Sequence, residues 1–157
     1  MLNSFSRRQV LLVIFATTTL IILGAYAIEY MGYAPCELCL MQRYAYYAVI
    51  PLSLIFSLLG SKTQTTGFYL LGLIMFGSMI FGIYHSGVEW KWWQGPSTCT
   101  GGGFGGGLPD LSKKAIMCDQ PAITIIGLSL ASWNAIISAF VSGLAFTKAY
   151  GSSSASQ

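Results

Sequence analysis

Four long apolar runs organise this 157-residue chain. They run from Gln9 to Ile28, Tyr44 to Gly60, Gly67 to Tyr84 and Ala122 to Thr147. None shows the strict apolar–polar alternation of barrel strands. Each is long enough, as a helix rising about 1.5 Å per residue, to cross about 30 Å of hydrocarbon. The second holds Pro51 and is the shortest, so its helix should begin about a turn earlier. The pattern predicts an all-α membrane protein, a four-transmembrane-helix bundle. It forms one domain over residues 1–150, with spans near 9–30, 40–60, 65–86 and 121–147, and 151–157 form a polar, disordered tail. The segment 61–66 reads as a tight turn and 29–43 as a short loop, while 85–121 is a long connection with a glycine-rich centre at 101–107. Gly67, Gly72, Gly77, Gly82 and Gly87 recur every five residues. Steps of five turn by about 140° on a helix, so these glycines build no single face. Trp133 and Asn134, inside the fourth run, are read as helix–helix packing residues, with hydrogen bonding between helices the alternative.

Composition agrees with a bilayer environment. The chain is 54% hydrophobic and 8% charged, against roughly 25% charged in soluble domains. The net charge of +3 is not gathered into a basic stripe, and no nucleic-acid motif is present. Arg7, Arg8, Lys62 and Lys148 fall on one side of the predicted bundle, unaccompanied by acids. Arg43, Lys91, Lys113 and Lys114 fall on the other with all five acids, two of those lysines deep in the long loop. The positive-inside rule therefore places both termini in the cytoplasm and both cysteine-bearing loops outside. Tyr26, Tyr30, Tyr33, Trp90, Trp92 and Trp93 would mark the outer interface. Arg7-Arg8 before an apolar stretch also resembles a cleavable or twin-arginine signal. The stretch is longer than a typical signal core, and three more spans follow, so it is read as a retained first span.

All four cysteines, Cys36, Cys39, Cys99 and Cys118, lie in the outer loops and none in a span. That distribution points to disulfide chemistry on an oxidising face rather than to apolar filling. Four cysteines allow three connectivities, the simplest being Cys36 with Cys39 and Cys99 with Cys118. A bridge across two residues removes little chain entropy, so Cys36-Glu-Leu-Cys39 makes a poor staple and a plausible redox couple. Pro35 before it and an apolar run after it place the pair in the first turn of the second span, where exposed N–H groups favour a thiolate. Arg43, four residues beyond Cys39, shares its helix face and would lower a thiol pKa or hold an anion; the plain alternative is snorkelling to lipid headgroups. A four-cysteine zinc site is the rival reading, but eighteen residues separate Cys99 from Cys118, unlike the close second half of such sites.

These residues carry a resemblance. Cys36-Glu-Leu-Cys39-Leu-Met-Gln-Arg43, four spans, the second cysteine pair, Tyr84-His85-Ser-Gly-Val-Glu-Trp90, Trp92-Trp93-Gln-Gly-Pro-Ser-Thr-Cys99, Cys118-Asp119 and Gly127-Leu128-Ser-Leu-Ala-Ser-Trp133 resemble the disulfide bond formation protein B (DsbB) family. The glycine-rich second loop and closely spaced tryptophans depart from its best-known members. The resemblance implies a bacterial inner-membrane thiol oxidase that reoxidises a periplasmic DsbA-like partner and passes electrons to ubiquinone or menaquinone. It implies a mixed disulfide at Cys99, exchange from Cys99–Cys118 to Cys36–Cys39, and electron exit from Cys39. Arg43 would favour the Cys39 thiolate and the quinol anion. His85, the only histidine, is a candidate for quinone binding or protonation, or simply an interfacial histidine. The alternative from another class is a non-catalytic membrane scaffold with structural disulfides or a four-cysteine metal site.

Overall fold

The computed structural model describes residues 5–96 and 117–153. Cys99, the 101–107 glycine run and residues 154–157 lie outside the described residues. Among the described residues there are four helices, α1 (Arg7–Tyr30), α2 (Glu37–Leu58), α3 (Ser61–Glu89) and α4 (Leu130–Ser153); short turns join the first three, and a hairpin of β1 (Thr124–Ile125) and β2 (Leu128–Ser129) precedes α4. All four helices are long and apolar enough to cross a membrane. Leu20, Leu23, Leu73, Ile80 and Phe140 face outward and exposed, a surface that lipid, not water, would cover.

Local signals explain the boundaries. Ser6 caps α1, its Oγ accepting from the Gln9 N–H while Gln9 Oε1 accepts from the Ser6 N–H. Gly32, at φ +95, ends the helix in the left-handed turn that glycine tolerates. Two expectations are corrected. Residues 61–66 are not a turn: the chain reverses at Leu59-Gly60 and α3 starts at Ser61, where the Gln64 N–H already donates to the Gly60 carbonyl at 3.0 Å. The fourth span does not start near 121. Ile126 (φ 53) and Gly127 (φ 77) make a tight hairpin turn of the kind that needs positive φ at both central residues, and helix begins only at Leu130. The helix also runs through Gly151–Ser153, the start of the supposed tail.

α3 and α4 share the most extensive interface, followed by α1 with α2. Small and hydroxyl residues let α3 and α4 close in: Ser138 Oγ donates to Ser78 Oγ (3.1 Å) and Ser142 Oγ to the Gly72 carbonyl (2.9 Å). Tyr46 O–H on α2 donates to Asn134 Oδ1 on α4 (2.6 Å), so Asn134 takes the hydrogen-bonding role rather than the plain packing role that the sequence favours. The five-residue glycines point different ways, Gly67 to Phe56, Gly72 to Phe146 and Gly82 to Ala135. A Cβ at Gly82 would sit 2.9 Å from the Ala135 backbone nitrogen, while one at Gly77 meets nothing within 4 Å. Gly82→Val should therefore cost about 1–3 kcal/mol by forcing α4 away. Gly77→Ala should cost nothing measurable, and thermal unfolding in detergent compares the two.

Side-chain contacts sort the two ends of the bundle. Arg7 Nη1 donates to the Ser61 carbonyl (3.1 Å) and Lys148 Nζ to the Phe5 carbonyl (3.1 Å), bringing the starts of α1 and α3 and the end of α4 together. The opposite end holds the start of α2, the end of α3 and the hairpin. There Trp90, Trp92 and Trp93 form edge-to-face contacts, and Trp93 Nε1 donates to the Tyr84 carbonyl.

Candidate active site

Cys36 is the N-cap of α2, one residue after Pro35. Its extended backbone turns Sγ back over the first helical turn, where it accepts from the Cys39 N–H at 3.2 Å. Both cysteines are free thiols in this structure. The Cys36 sulfur is buried and lies 3.5 Å from Nε2 of His85, itself 1% exposed on α3. The pKa of Cys36 is lowered from 9.0 to about 5. The largest cause is the hydrogen bond from the Cys39 thiol; burial opposes it, and His85 and the Cys39 backbone N–H add to it. In this dithiol form the Cys39 thiol donates to the Cys36 sulfur, which favours negative charge on Cys36. His85→Ala should move the Cys36 titration up from about 5, less far than loss of the Cys39 thiol would. Thiolate absorbance against pH reads both, and alkylation of Cys36 should slow as the pH falls through that value.

Cys118 shares a buried cluster with Cys36, Leu38 and Val88. It is disulfide-bonded, and its partner lies outside the described residues. The donor atoms that converge, within 4.8 Å of one another, are those of Cys36, Cys39 and His85.

Cys39, beside Cys36, is also reached from a cavity. With Gln42, Arg43 and Tyr46 from the same helix it lines a predominantly apolar cavity of about 300 Å³. α1 contributes Ile22, Ala25 and Ile28, the hairpin region Ile123 and Ile125, and α4 Trp133, Asn134 and Ile137. Trp133 Nε1 donates to the Ile125 carbonyl, fixing the hairpin over α4. Gln42 Nε2 and Asn134 Nδ2 are buried donors with no hydrogen-bond partner, on residues of the cavity wall. A flat apolar ring bearing carbonyl oxygens fits such a wall, because it would satisfy donors whose isolation otherwise costs free energy.

Arg43 reaches the wall as its spacing from Cys39 implied, but it is not a lone cation. Its Nη1 donates to Glu29 Oε2 at 2.8 Å, and its guanidinium lies 5.1 Å from the Tyr26 ring centroid. Burial in this pair replaces simple snorkelling. His85 is not on the cavity wall; it stands behind Cys36. The residue one turn on, Glu89, does reach the wall. Its Oε1 is 3.9 Å from His85 Nε2, its side chain is 6% exposed, and its Oε2 has no hydrogen-bond partner. Sequence reasoning missed Glu89, Gln42 and Glu29 as site residues. The one available signal was an acid four residues after the only histidine, ending an apolar helix.

A family model described as disulfide bond formation protein DsbB matches residues 6–147. The chain is 29% identical to disulfide bond formation protein B of Azoarcus sp. (strain BH72) over 140 residues, covering 82% of this chain and 84% of the relative. It is 28% identical to the protein of that name from Albidiferax ferrireducens over 148 residues, covering 87% and 83%. An uncharacterised protein of Rickettsia prowazekii is 30% identical over 141 residues, covering 83% and 81%. No solved structure matches. With a family match over nearly the whole chain and four helices long and apolar enough to cross a membrane, the chain belongs to the DsbB family as a multi-pass membrane oxidoreductase that forms disulfide bonds.

Proposed function

We propose that the protein reoxidises a periplasmic DsbA-like thiol oxidase and delivers the electrons to ubiquinone or menaquinone in the bacterial inner membrane. The observation that carries this reading is the cavity at Cys39, apolar and open among lipid-facing helices, lined by Gln42 and Asn134, whose side-chain nitrogens are buried and unpartnered. Bound there, the quinone supplies a two-electron, two-proton acceptor. Gln42 and Asn134 would hold its carbonyl oxygens, and Arg43 would favour negative charge gathering on them.

The protein's own residues divide the work. The partner's reduced dithiol attacks the Cys99–Cys118 disulfide, with Cys99 forming the mixed disulfide. Cys118 packs in the cluster that holds Cys36, so exchange between the two pairs needs little movement. Attack by Cys118 on the Cys36 sulfur of the Cys36–Cys39 bridge would release the Cys39 sulfur on the cavity side, and the low pKa of Cys36 keeps it a thiolate at neutral pH once the pair is reduced. Cys39 stands on the cavity side and hands electrons outward. A DsbA-type disulfide lies near about −120 mV, and roughly every 30 mV of mismatch is a factor of ten in the two-electron equilibrium. Cysteine pairs alone would not drive that oxidation, and a quinone sink does.

Four crossings would put both termini on one side, and Arg7, Arg8, Lys62 and Lys148 support the cytoplasm as that side. The cysteines then face the periplasm. Protein incubated with an azido-quinone should be photolabelled on cavity residues such as Gln42 or Trp133. The purified protein with quinone should also reoxidise a reduced DsbA-like protein without oxygen. Labelling elsewhere, or no quinone-dependent reoxidation by intact protein, would overturn the reading.

A further inference from the structure

Two thiols cannot close into a disulfide without shedding two protons along with two electrons. Cys39 lies on the cavity wall and has an exit there. Cys36 does not: it is 5% exposed and absent from that wall. The neighbour able to take its proton is His85, whose Nε2 is 3.5 Å from the sulfur. The same nitrogen is 3.9 Å from Glu89 Oε1, so a proton taken from one side can leave toward the other without a ring flip. Glu89 is the point where this line meets the cavity. It is almost wholly buried, its Oε2 is unpartnered, and it lines the wall. A carboxylate kept in so dry a place is costly unless it gains a proton or a partner.

From this geometry we propose that Glu89 is the proton carrier of the site, taking the proton of Cys36 through His85 Nε2 and presenting it at the cavity. The proposal rests on the cavity being a quinone site. The balance is complete: in the reduced protein the Cys36 proton already sits on Glu89, so closing the bridge breaks the Cys39 S–H and Glu89 O–H bonds and forms one S–S bond between Cys36 and Cys39. The two electrons and these two protons would convert a quinone in the cavity to quinol. The groups facing Glu89 are His85 on its own helix, Cys36 at the start of α2 and the Ser129 hydroxyl of the hairpin. Cys39, Tyr46 and Arg43 of α2 and Tyr33 before it share its cavity, with Arg43 already paired to Glu29.

The first test needs no quinone. In infrared difference spectra of the quinone-free, reduced protein, a protonated-carboxyl band should grow as Cys36 loses its proton, and it should be missing in Glu89→Gln. With quinone added, pre-reduced Glu89→Gln should form quinol roughly 100-fold more slowly, the scale of general acid–base catalysis, and lose the wild-type pH profile. Glu89→Asp, which keeps the acid, should recover most of the rate and so separate chemistry from packing. An unchanged band in Glu89→Gln, a wild-type rate for it, or an equally slow Glu89→Asp would overturn the proposal. A wild-type protein that shows the band but reduces no quinone would instead overturn the quinone reading and leave the proton acceptor standing.

Discussion

Cys39→Ala should abolish quinone reduction, lowering turnover by roughly a thousandfold or more, the scale expected when a nucleophile acting as part of a unit is removed. Two separate contributions are lost. The cavity-facing sulfur disappears, so electrons have no exit on that wall. The thiol that donates to Cys36, the largest cause of its lowered pKa, disappears as well, so Cys36 should titrate nearer the ordinary thiol value. Cys36→Ala should be as inactive for a different reason, since Cys39 keeps its place on the cavity but has no partner to form a bridge. Neither variant empties a large volume, so helicity and thermal unfolding should stay close to wild type. Quinone reduction assays on the folded variants check the loss. A Cys39→Ala protein that still reduces quinone would remove this sulfur from the path.

Arg43→Ala should weaken apparent quinone affinity by about 10- to 100-fold, corresponding to the roughly 1.5–3 kcal/mol of a hydrogen bond to a charged group. It should leave the Michaelis constant for the thiol partner nearly unchanged. The side chain lines the cavity, and its charge is held in place by Glu29 at 2.8 Å and by the Tyr26 ring. Glu29 is 41% exposed, so solvent screens the pair and its own worth is small. Glu29→Gln should accordingly do less harm than loss of the arginine. An unchanged quinone constant in Arg43→Ala would reduce Arg43 to an interfacial ion pair.

Much of this organisation is readable in the amino-acid order. Unbroken apolar runs carried the four helices, and Pro35 before Cys36 carried the placement of the pair at a helix start. The four-residue step from Cys39 to Arg43 put both on one wall. Other features depend on distant chain segments meeting. The stretch before Leu130 is as apolar as a span, and only Ile126-Gly127 marks it as a hairpin. Polar residues 61–66 read as a turn because polarity was taken for irregularity, yet α3 begins there. Gln42 and Asn134 become unpartnered donors only once α2 and α4 enclose a cavity. Glu29 finds Arg43 across a helix pair, and Glu89 matters because α3 carries it past His85 to the same cavity. Periodicity within one helix holds no record of these meetings.

The central claim is that electrons leave Cys36–Cys39 for a quinone in the cavity beside Cys39. An anaerobic single-turnover titration tests it most directly: protein with both thiols reduced is mixed with limiting quinone, and quinol and remaining thiols are counted together. One quinol should form for each pair of thiols lost, with Cys36 and Cys39 joined in the product. Thiols that stay reduced in folded protein saturated with quinone, or quinol formed without loss of the Cys36 and Cys39 thiols, would contradict the account.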